Sequence, residues 1–352
     1  MTVIGDVSVA RRYYACRRCR GVQIPWDDWA GLGHDHLTAG ARRLAVLAGS
    51  SWSFDVASDR LKEFCGLRIS DQTIRRVTEA AGAAVSEWRE RAPAATATCR
   101  NAAGHGEFYT DGTSVNTTQG WREMRLGIFA KRAAGPAASP AEWADRVLPL
   151  PEARLAIGGI IDCEAFGGQW AVMAERLGLT RGRGVTCLGD GAKWIWRQVA
   201  EHLPESECVV DVFHVSEHLH ECGRALHGDR TEAARSWADD QLLALIAEGP
   251  MRFLAALDEK RQAAGSTHGQ QAIGAVTSYL KPNIDGLWYA SRLRRGLPIG
   301  SGMVEGACKN VIGRRMKCNS ARWTPEHADQ MAAMLSREGW TTRRRHGNDA
   351  LL

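Results

Sequence analysis

The chain has 352 residues, 44% hydrophobic and 24% charged, with a formal net charge of +5, a length that sustains two or more hydrophobic cores rather than one compact domain. No run approaches the roughly 18 apolar residues of a membrane helix, no basic segment leads into an apolar stretch at the start, and ten scattered cysteines make no secreted disulfide framework, so a membrane span and a secretory signal are disfavoured and a reducing cytoplasm fits. The first hundred residues carry 15 Lys/Arg against 11 Asp/Glu and residues 281–352 carry 13 against 6; basic ends around an acidic middle suit a polyanion gripped at two places, or plain solvated surface charge.

Residues 1–35 read as short strands and turns around Cys16-Arg17-Arg18-Cys19. Two thiolates on one tight turn are half of a tetrahedral zinc site; His34 and His36 are the nearest candidates to complete it, and two free thiols are the alternative. Residues 36–92 turn helical, with apolar residues at three- and four-residue spacing, Gly66 closing one helix and Ser70 capping the next. Helix, turn, helix with Arg75 and Arg76 exposed on the second helix is the pattern of a helix-turn-helix DNA-binding domain; a plain helical bundle is the alternative. Residues 93–106 have no periodicity and read as a linker.

From residue 107 the grammar is that of strands. Five runs, 107–117, 121–133, 154–162, 184–192 and 207–214, with helical stretches after the third and fourth, predict an α/β fold with a mixed sheet flanked by helices, its first part ending near 220. Residues 221–297 read as an all-helical insertion. Residues 298–340 return to the core with a basic helix, and 341–352, with Arg343, Arg344, Arg345 and His346, form a basic tail.

Two of the strand ends finish in aspartate and glycine, Asp111-Gly112 and Asp190-Gly191. A carboxylate at the end of a buried strand is costly to desolvate unless a cation or donor meets it, and glycine lets the chain turn with little bulk. Glu305 falls in the first turns of a helix capped near Ser301, with Lys309, Arg314, Arg315 and Lys317 following as candidate phosphate contacts. Taken singly, Asp-Gly is a common turn and a helical Glu is usually solvated. Together, three carboxylates suit two Mg²⁺ or Mn²⁺ ions for phosphodiester chemistry. Asp211 and His214 are placed beside this site, His214 positioning a phosphate or a neighbouring side chain, or packing in the core. Trp323 either stacks on an unpaired base or anchors the last helix.

These residues carry a resemblance. The strand order with two terminal aspartates, a helical insertion and a late glutamate looks like the RNase H-like core of DDE transposases. The run Leu297-Pro298-Ile299-Gly300-Ser301-Gly302-Met303-Val304-Glu305-Gly306, with Arg315-Met316-Lys317, Trp323, Asp190-Gly191-Ala192-x-Trp194, Asp211-x-x-His214 and the segment from Gly5 to Pro25, resembles the ISKra-type bacterial insertion-sequence transposases, relatives of the Mutator-like group. The resemblance implies that Asp111, Asp190 and Glu305 form the metal-binding triad and that the substrate is transposon-end DNA, joined to target DNA by a dimer or larger homo-oligomer in the bacterial cytoplasm, at the nucleoid. Asp111 is then expected to bridge both ions, with Asp190 and Glu305 holding one each. Such proteins begin upstream with another Cys-x-x-Cys, so the resemblance also implies an N-terminally truncated copy, in which Zn²⁺ at Cys16 and Cys19 depends on a complete ribbon. A truncated or repurposed transposase that binds DNA without catalysis is the main alternative reading, and a nuclease that cuts without joining strands is a second.

Overall fold

The computed structural model describes residues 1–32, 35–318 and 321–338, so His34 and the tail arginines lie outside the described residues. The chain divides into two compact units. The first comprises Met1–Arg91, Ser114–Arg122 and Lys309–Leu352, and the second Ala92–Thr113 and Glu123–Cys308.

In the first unit, β1 (Tyr14–Ala15) and β2 (Val22–Gln23) pair antiparallel around the Cys16–Cys19 turn, followed by the single-turn helix α1 (Pro25–Trp29). Three helices come next: α2 (Ala39–Ser51), α3 (Phe54–Cys65) and α4 (Asp71–Arg91). Their limits follow from side-chain chemistry. Thr38 caps α2, Gly66 ends α3 at φ +68°, and the Ser70 hydroxyl accepts the Thr73 amide at 3.2 Å to start α4. Ile74 and Val77 are buried on α4 while Arg75 and Arg76 are exposed, as the spacing predicts.

The second unit opens with α5 (Ala94–Asn101). This corrects the expected linker: Thr96 and Cys99, three residues apart, share a buried face, and Cys99 joins the core of the sheet. Small residues bury little area each, so their periodicity is faint in the sequence. The sheet has strands β3 (His105–Thr117), β4 (Gly120–Arg132), β5 (Ala153–Gly159), β6 (Val185–Gly189) and β7 (Glu207–Val210) in the order β5-β4-β3-β6-β7. β4 and β5 are antiparallel, while β3, β6 and β7 run parallel. Helices α6 (Cys163–Arg176) and α7 (Lys193–His202) follow the third and fourth strands. A five-stranded mixed sheet with helices, among the described residues, makes the chain α/β and is compatible with an RNase H-like core.

Two expected strand ends move. β3 does not stop at Asp111-Gly112 but continues to Thr117, because Gly112 keeps an extended backbone against Glu123 of β4. β7 stops at Val210, four residues before the expected end, because the Asp211 carboxylate accepts the Phe213 amide at 3.1 Å and caps α8 (Val212–His227). The insertion is helical as expected: α9 (Glu232–Glu248), α10 (Pro250–Ala263), α11 (Thr267–Leu280) and α12 (Tyr289–Arg294). The late basic helix begins as α13 (Gly302–Ala307), passes through a π-helical stretch, Cys308–Gly313, and ends as α14 (Arg314–Met316). A further helix, α15 (Pro325–Glu338), belongs to the first unit. Among the described residues no helix is long and apolar enough to cross a membrane.

Alternation divides the residues of the sheet. Phe108, Phe129, Phe166 and Trp170 pack at ring separations of 4.5 Å (Phe108–Phe129), 4.8 Å (Phe108–Trp170) and 5.5 Å (Phe166–Trp170) between β3, β4 and α6. The intervening residues Glu107 and Tyr109 face the other way, where Glu107 accepts from the Tyr109 hydroxyl at 2.8 Å and from Arg132 Nε at 3.1 Å.

In the first unit α15 packs on α4 so closely that a Cβ at Gly82 would sit 2.1 Å from the Gln330 carbonyl oxygen. Gly82→Ala must therefore push two helices apart. The expected cost is about 1–3 kcal/mol, read as a fall in the urea midpoint at unchanged slope; an unchanged midpoint would refute the contact.

Candidate metal centre

The parallel register sets the site. Tyr109 pairs with Leu188, and Leu188 with Val209. Two residues further along each strand, on the same face of the sheet, come Asp111, Asp190 and Asp211. Three neighbouring parallel strands thus carry three carboxylates abreast, Asp111 within β3 and Asp190 and Asp211 just past the ends of β6 and β7.

Asp211 is fully buried. Its Oδ1 accepts the Phe213 amide and, at 2.9 Å, the Ser301 amide; its Oδ2 accepts the Ser301 hydroxyl at 2.7 Å. Burial pushes its pKa up to about 6 against the pull of those hydrogen bonds, and the nearby Glu305 charge adds to the rise. The Ser301 hydroxyl also lies 3.1 Å from Glu305 Oε1. One hydroxyl proton therefore faces two carboxylates, and it can fully satisfy only one. Glu305 sits in the first turn of α13, where the exposed amides of the helix start favour an anion.

His214, one turn into α8, points into this group, with Nε2 3.9 Å from Asp211 Oδ2 and Nδ1 3.3 Å from Glu217. Ligand atoms of Asp211, His214 and Glu305 all lie within 4.8 Å of one another. Of the readings for His214 this sets aside core packing, since the ring is half-buried and faces carboxylates, and it corrects the placing of Asp211, which belongs to the cluster rather than beside it.

Asp111 and Asp190 are not among the three residues whose ligand atoms cluster, but Asp111 is near enough to feel the charges of Asp190 and His214. Burial raises the Asp111 pKa and the Asp190 charge raises it further, while the Gly112 amide at 2.7 Å, His214 and the Cys308 thiol favour its ionised form. Cys308 lies one helical turn beyond Glu305, so the same late helix reaches towards Asp211 through Glu305 and touches Asp111 through Cys308. Asp190 sits just past β6, its carboxylate accepting the Ala192 amide at 2.8 Å, and Gly191 turns the chain at φ +87°. Tyr279, from the insertion, donates its hydroxyl to the Asp190 carbonyl at 2.6 Å and stacks on His218, with ring centroids 3.9 Å apart. Among the described residues no Lys or Arg forms an ion pair with Asp111, Asp190, Asp211 or Glu305. Four oxygen-ligand acids and one imidazole with so little compensating positive charge fit a hard divalent cation.

Ser301, Cys308 and Tyr279 were not legible as site residues. Ser301 reads only as a helix cap, Cys308 as a core thiol and Tyr279 as one aromatic on an insertion helix.

The basic residues divide. Lys309, Arg314 and Lys317 are exposed, as phosphate contacts require. Arg315 is buried: its Nε donates to the Gly49 carbonyl at 2.8 Å, and its guanidinium lies 4.7 Å from the Phe54 ring centre and 4.9 Å from that of Trp323. Trp323, 6% exposed, donates Nε1 to the Met316 carbonyl at 3.1 Å and meets Phe54 edge to face. Both are core anchors in the first unit, so neither a phosphate contact by Arg315 nor base stacking by Trp323 is available in this fold. Arg76 lies 3.8 Å from Asp35, and both Arg75 and Arg76 remain exposed. At the N-terminus, amides of Cys19 and Arg18 donate to the Cys16 sulfur and hold its thiol below the usual range. Among the described residues no third metal-ligating side chain joins Cys16 and Cys19.

No protein-family model matches the chain, and no curated protein matches it.

The raised Asp211 pKa has a direction that can be measured. The folded carboxyl titrates near 6 against an ordinary value of 3.8, so its contribution to stability is fully present below the lower value and is lost as pH rises through the higher one. In EDTA the melting temperature, taken relative to Asp211→Asn, should fall between about pH 4 and 6, and Mn²⁺ at neutral pH should recover it. Parallel pH profiles for the two proteins would refute the assignment.

Proposed function

We propose that the chain is a DDE-type transposase of the ISKra kind, built on an RNase H-like core. On this reading it binds transposon-end duplexes and catalyses metal-dependent strand cleavage and transfer to target DNA as a dimer or larger homo-oligomer. The observation that carries the reading is the row of Asp111, Asp190 and Asp211 across three adjacent parallel strands, met by the helix that brings Glu305. The strand order β5-β4-β3-β6-β7 and the helical insertion before Glu305 support it.

In this mechanism Asp111, Asp190 and Glu305 would hold Mg²⁺ or Mn²⁺, which would supply Lewis-acid activation of a water or 3′-hydroxyl and stabilisation of the leaving oxygen. The protein's own groups do the rest. Ser301 orients Glu305 and Asp211 through one hydroxyl, the Gly112 amide fixes the Asp111 carboxylate, and Ala192 and Tyr279 fix the turn at Asp190 from its two sides. His214 faces Asp211 through its Nε2. The pair α3–α4, with Arg75 and Arg76, is the candidate helix-turn-helix, and Lys309, Arg314 and Lys317 are candidate phosphate contacts.

The spacing of Asp211, His214 and Glu305 favours a second arrangement of the same chemistry, in which one ion sits among these three. Asp190→Asn and Asp211→Asn separate the two: the acid whose loss abolishes cleavage is the ligand, whereas a fixing role leaves activity that excess Mn²⁺ restores.

The deciding assay is Mg²⁺-dependent cleavage of a labelled duplex carrying the element's terminal repeats. Asp111→Asn and Glu305→Gln should each lower the rate by more than about 100-fold, or about 3 kcal/mol. Wild-type cleavage rates in either variant would overturn the assignment. Binding by the wild type without cleavage in Mg²⁺ or Mn²⁺ would leave a DNA-binding protein without catalysis. Lys309→Ala and Arg314→Ala should each reduce the salt dependence of DNA binding by about one unit of slope if they touch phosphates, whereas an unchanged slope removes them from the interface.

A further inference from the structure

Phe213 occupies an unusual position for a large apolar side chain. It stands two residues after the α8 cap, with its amide bonded to Asp211 and His214 as its next neighbour, yet it is 47% exposed while Val212 and Val215 on the same helix are buried. Its ring is held in place. Gly300 lies so close that a Cβ there would come 2.6 Å from the ring, and the same Cβ would be 3.4 Å from Asp211 Oδ1. The backbone at Gly300 thus runs between the aromatic ring and the buried carboxylate, with room for glycine only.

A second ring meets the first. Trp143 lies with its ring centre 6.0 Å from that of Phe213 and its plane inclined by 53°, so neither ring covers the face of the other. The connection between β4 and β5 that carries Trp143 is pinned on the approach to it. Upstream, the Gly135 amide bonds to the Gly296 carbonyl at 2.9 Å and that of Ala138 to the Leu293 carbonyl at 3.1 Å. At the turn before Trp143, Glu142 accepts from the Ser139 amide at 2.8 Å and hydroxyl at 2.7 Å.

We propose that Phe213 and Trp143 form a subsite for one unpaired nucleobase, that of the nucleotide whose phosphate is presented to the carboxylates. The proposal rests on the DNA-processing reading above and adds to it a specific contact with substrate. Its occupant follows from position. A group on Phe213 is within one nucleotide of Asp211 and Glu305, and the ligand that combines a flat aromatic face with a phosphodiester at that spacing is a nucleotide. Stacking on two fixed aromatic rings accepts any base, so the subsite holds the strand in register without reading sequence.

The test varies both sides of the contact. Binding of a fluorescein-labelled single strand of twelve thymidines is compared with that of the same backbone lacking bases, with Ca²⁺ as a hard cation, by fluorescence anisotropy. One stacked base is worth about a 5- to 150-fold preference for the base-bearing strand. Phe213→Ala and Trp143→Ala should each lose a large part of that preference while binding the abasic strand as the wild type does, and Phe213→Tyr should retain it. Thermal melting of each variant checks folding, and Phe213→Leu, which keeps apolar bulk without an aromatic face, serves if the alanine variant does not fold. A wild type that binds both strands equally, or a Phe213→Leu that keeps the full preference, overturns the subsite while leaving metal-dependent cleavage intact. A wild type that binds neither strand and does not cleave duplex overturns the functional reading and the subsite together.

Discussion

Asp211 gives up all contact with solvent, and the second unit is organised around the donors that compensate it. A carboxylate that deep is stable only where donors converge, and here three come from two places: the start of α8 through the Phe213 amide, and the segment before α13 through the Ser301 amide and hydroxyl. The Val212 amide bonds to the Ile299 carbonyl at 3.0 Å and ties the same segment to the end of β7. Through Ser301 the buried acid sets where α13 begins, and through α13 it sets where Glu305 and Cys308 lie. The donors only partly offset the desolvation, which is why the carboxyl stays well above its ordinary range.

The same segment is held from its other end by a second buried polar group. Arg292 of α12 donates Nε to the Pro298 carbonyl at 3.0 Å, Nη1 to Glu207 at 2.5 Å and Nη2 to the Thr186 hydroxyl at 2.6 Å, so β6, β7 and the approach to Ser301 share one guanidinium. Tyr289 adds a hydroxyl to the Val210 carbonyl at 2.9 Å. With Tyr279 on the Asp190 carbonyl, three insertion residues bond to the strands or segments that carry the acids. The insertion is therefore part of the scaffold of the site. A helical excursion between the third and fourth acids of the cluster reads in the sequence as a separable addition, but its hydrogen bonds make it a brace for the segments that carry the acids.

The first unit uses its cations differently. Arg315 lies between Phe54 and Trp323 and bonds to the Gly49 carbonyl, so a residue in a basic run serves as a packing element, its charge met by aromatic faces and a backbone oxygen. Burial lowers its pKa to about 10, still far above neutrality, so the guanidinium remains charged. Its neighbours Arg314 and Lys317 are exposed. Within five residues of one helix end, the direction of each side chain separates core from surface.

The sequence by itself determined the elements. Alternating apolar runs predicted all five strands of the sheet, three- and four-residue spacing predicted α2 to α4 and the helical insertion, and Gly66, Ser70 and Ser301 marked helix limits that the structure keeps to within a residue or two. It also offered Asp111, Asp190 and Glu305 as candidate acids, because Asp-Gly pairs in apolar runs and a glutamate near a helix start are local features. Tertiary structure alone decided which acids share a site. Asp211 reads locally as a strand end and proves to be a helix cap level with Asp190, a fact carried by the register of β6 on β7. Ser301, Cys308, Tyr279 and Phe213 acquire their places from partners as many as about 200 residues away in the chain, and Arg315 and Trp323 leave the surface for the same reason. Hydrophobic spacing records which face of an element is buried, whereas the neighbour that buries it is set by long-range packing, which no short window of sequence contains.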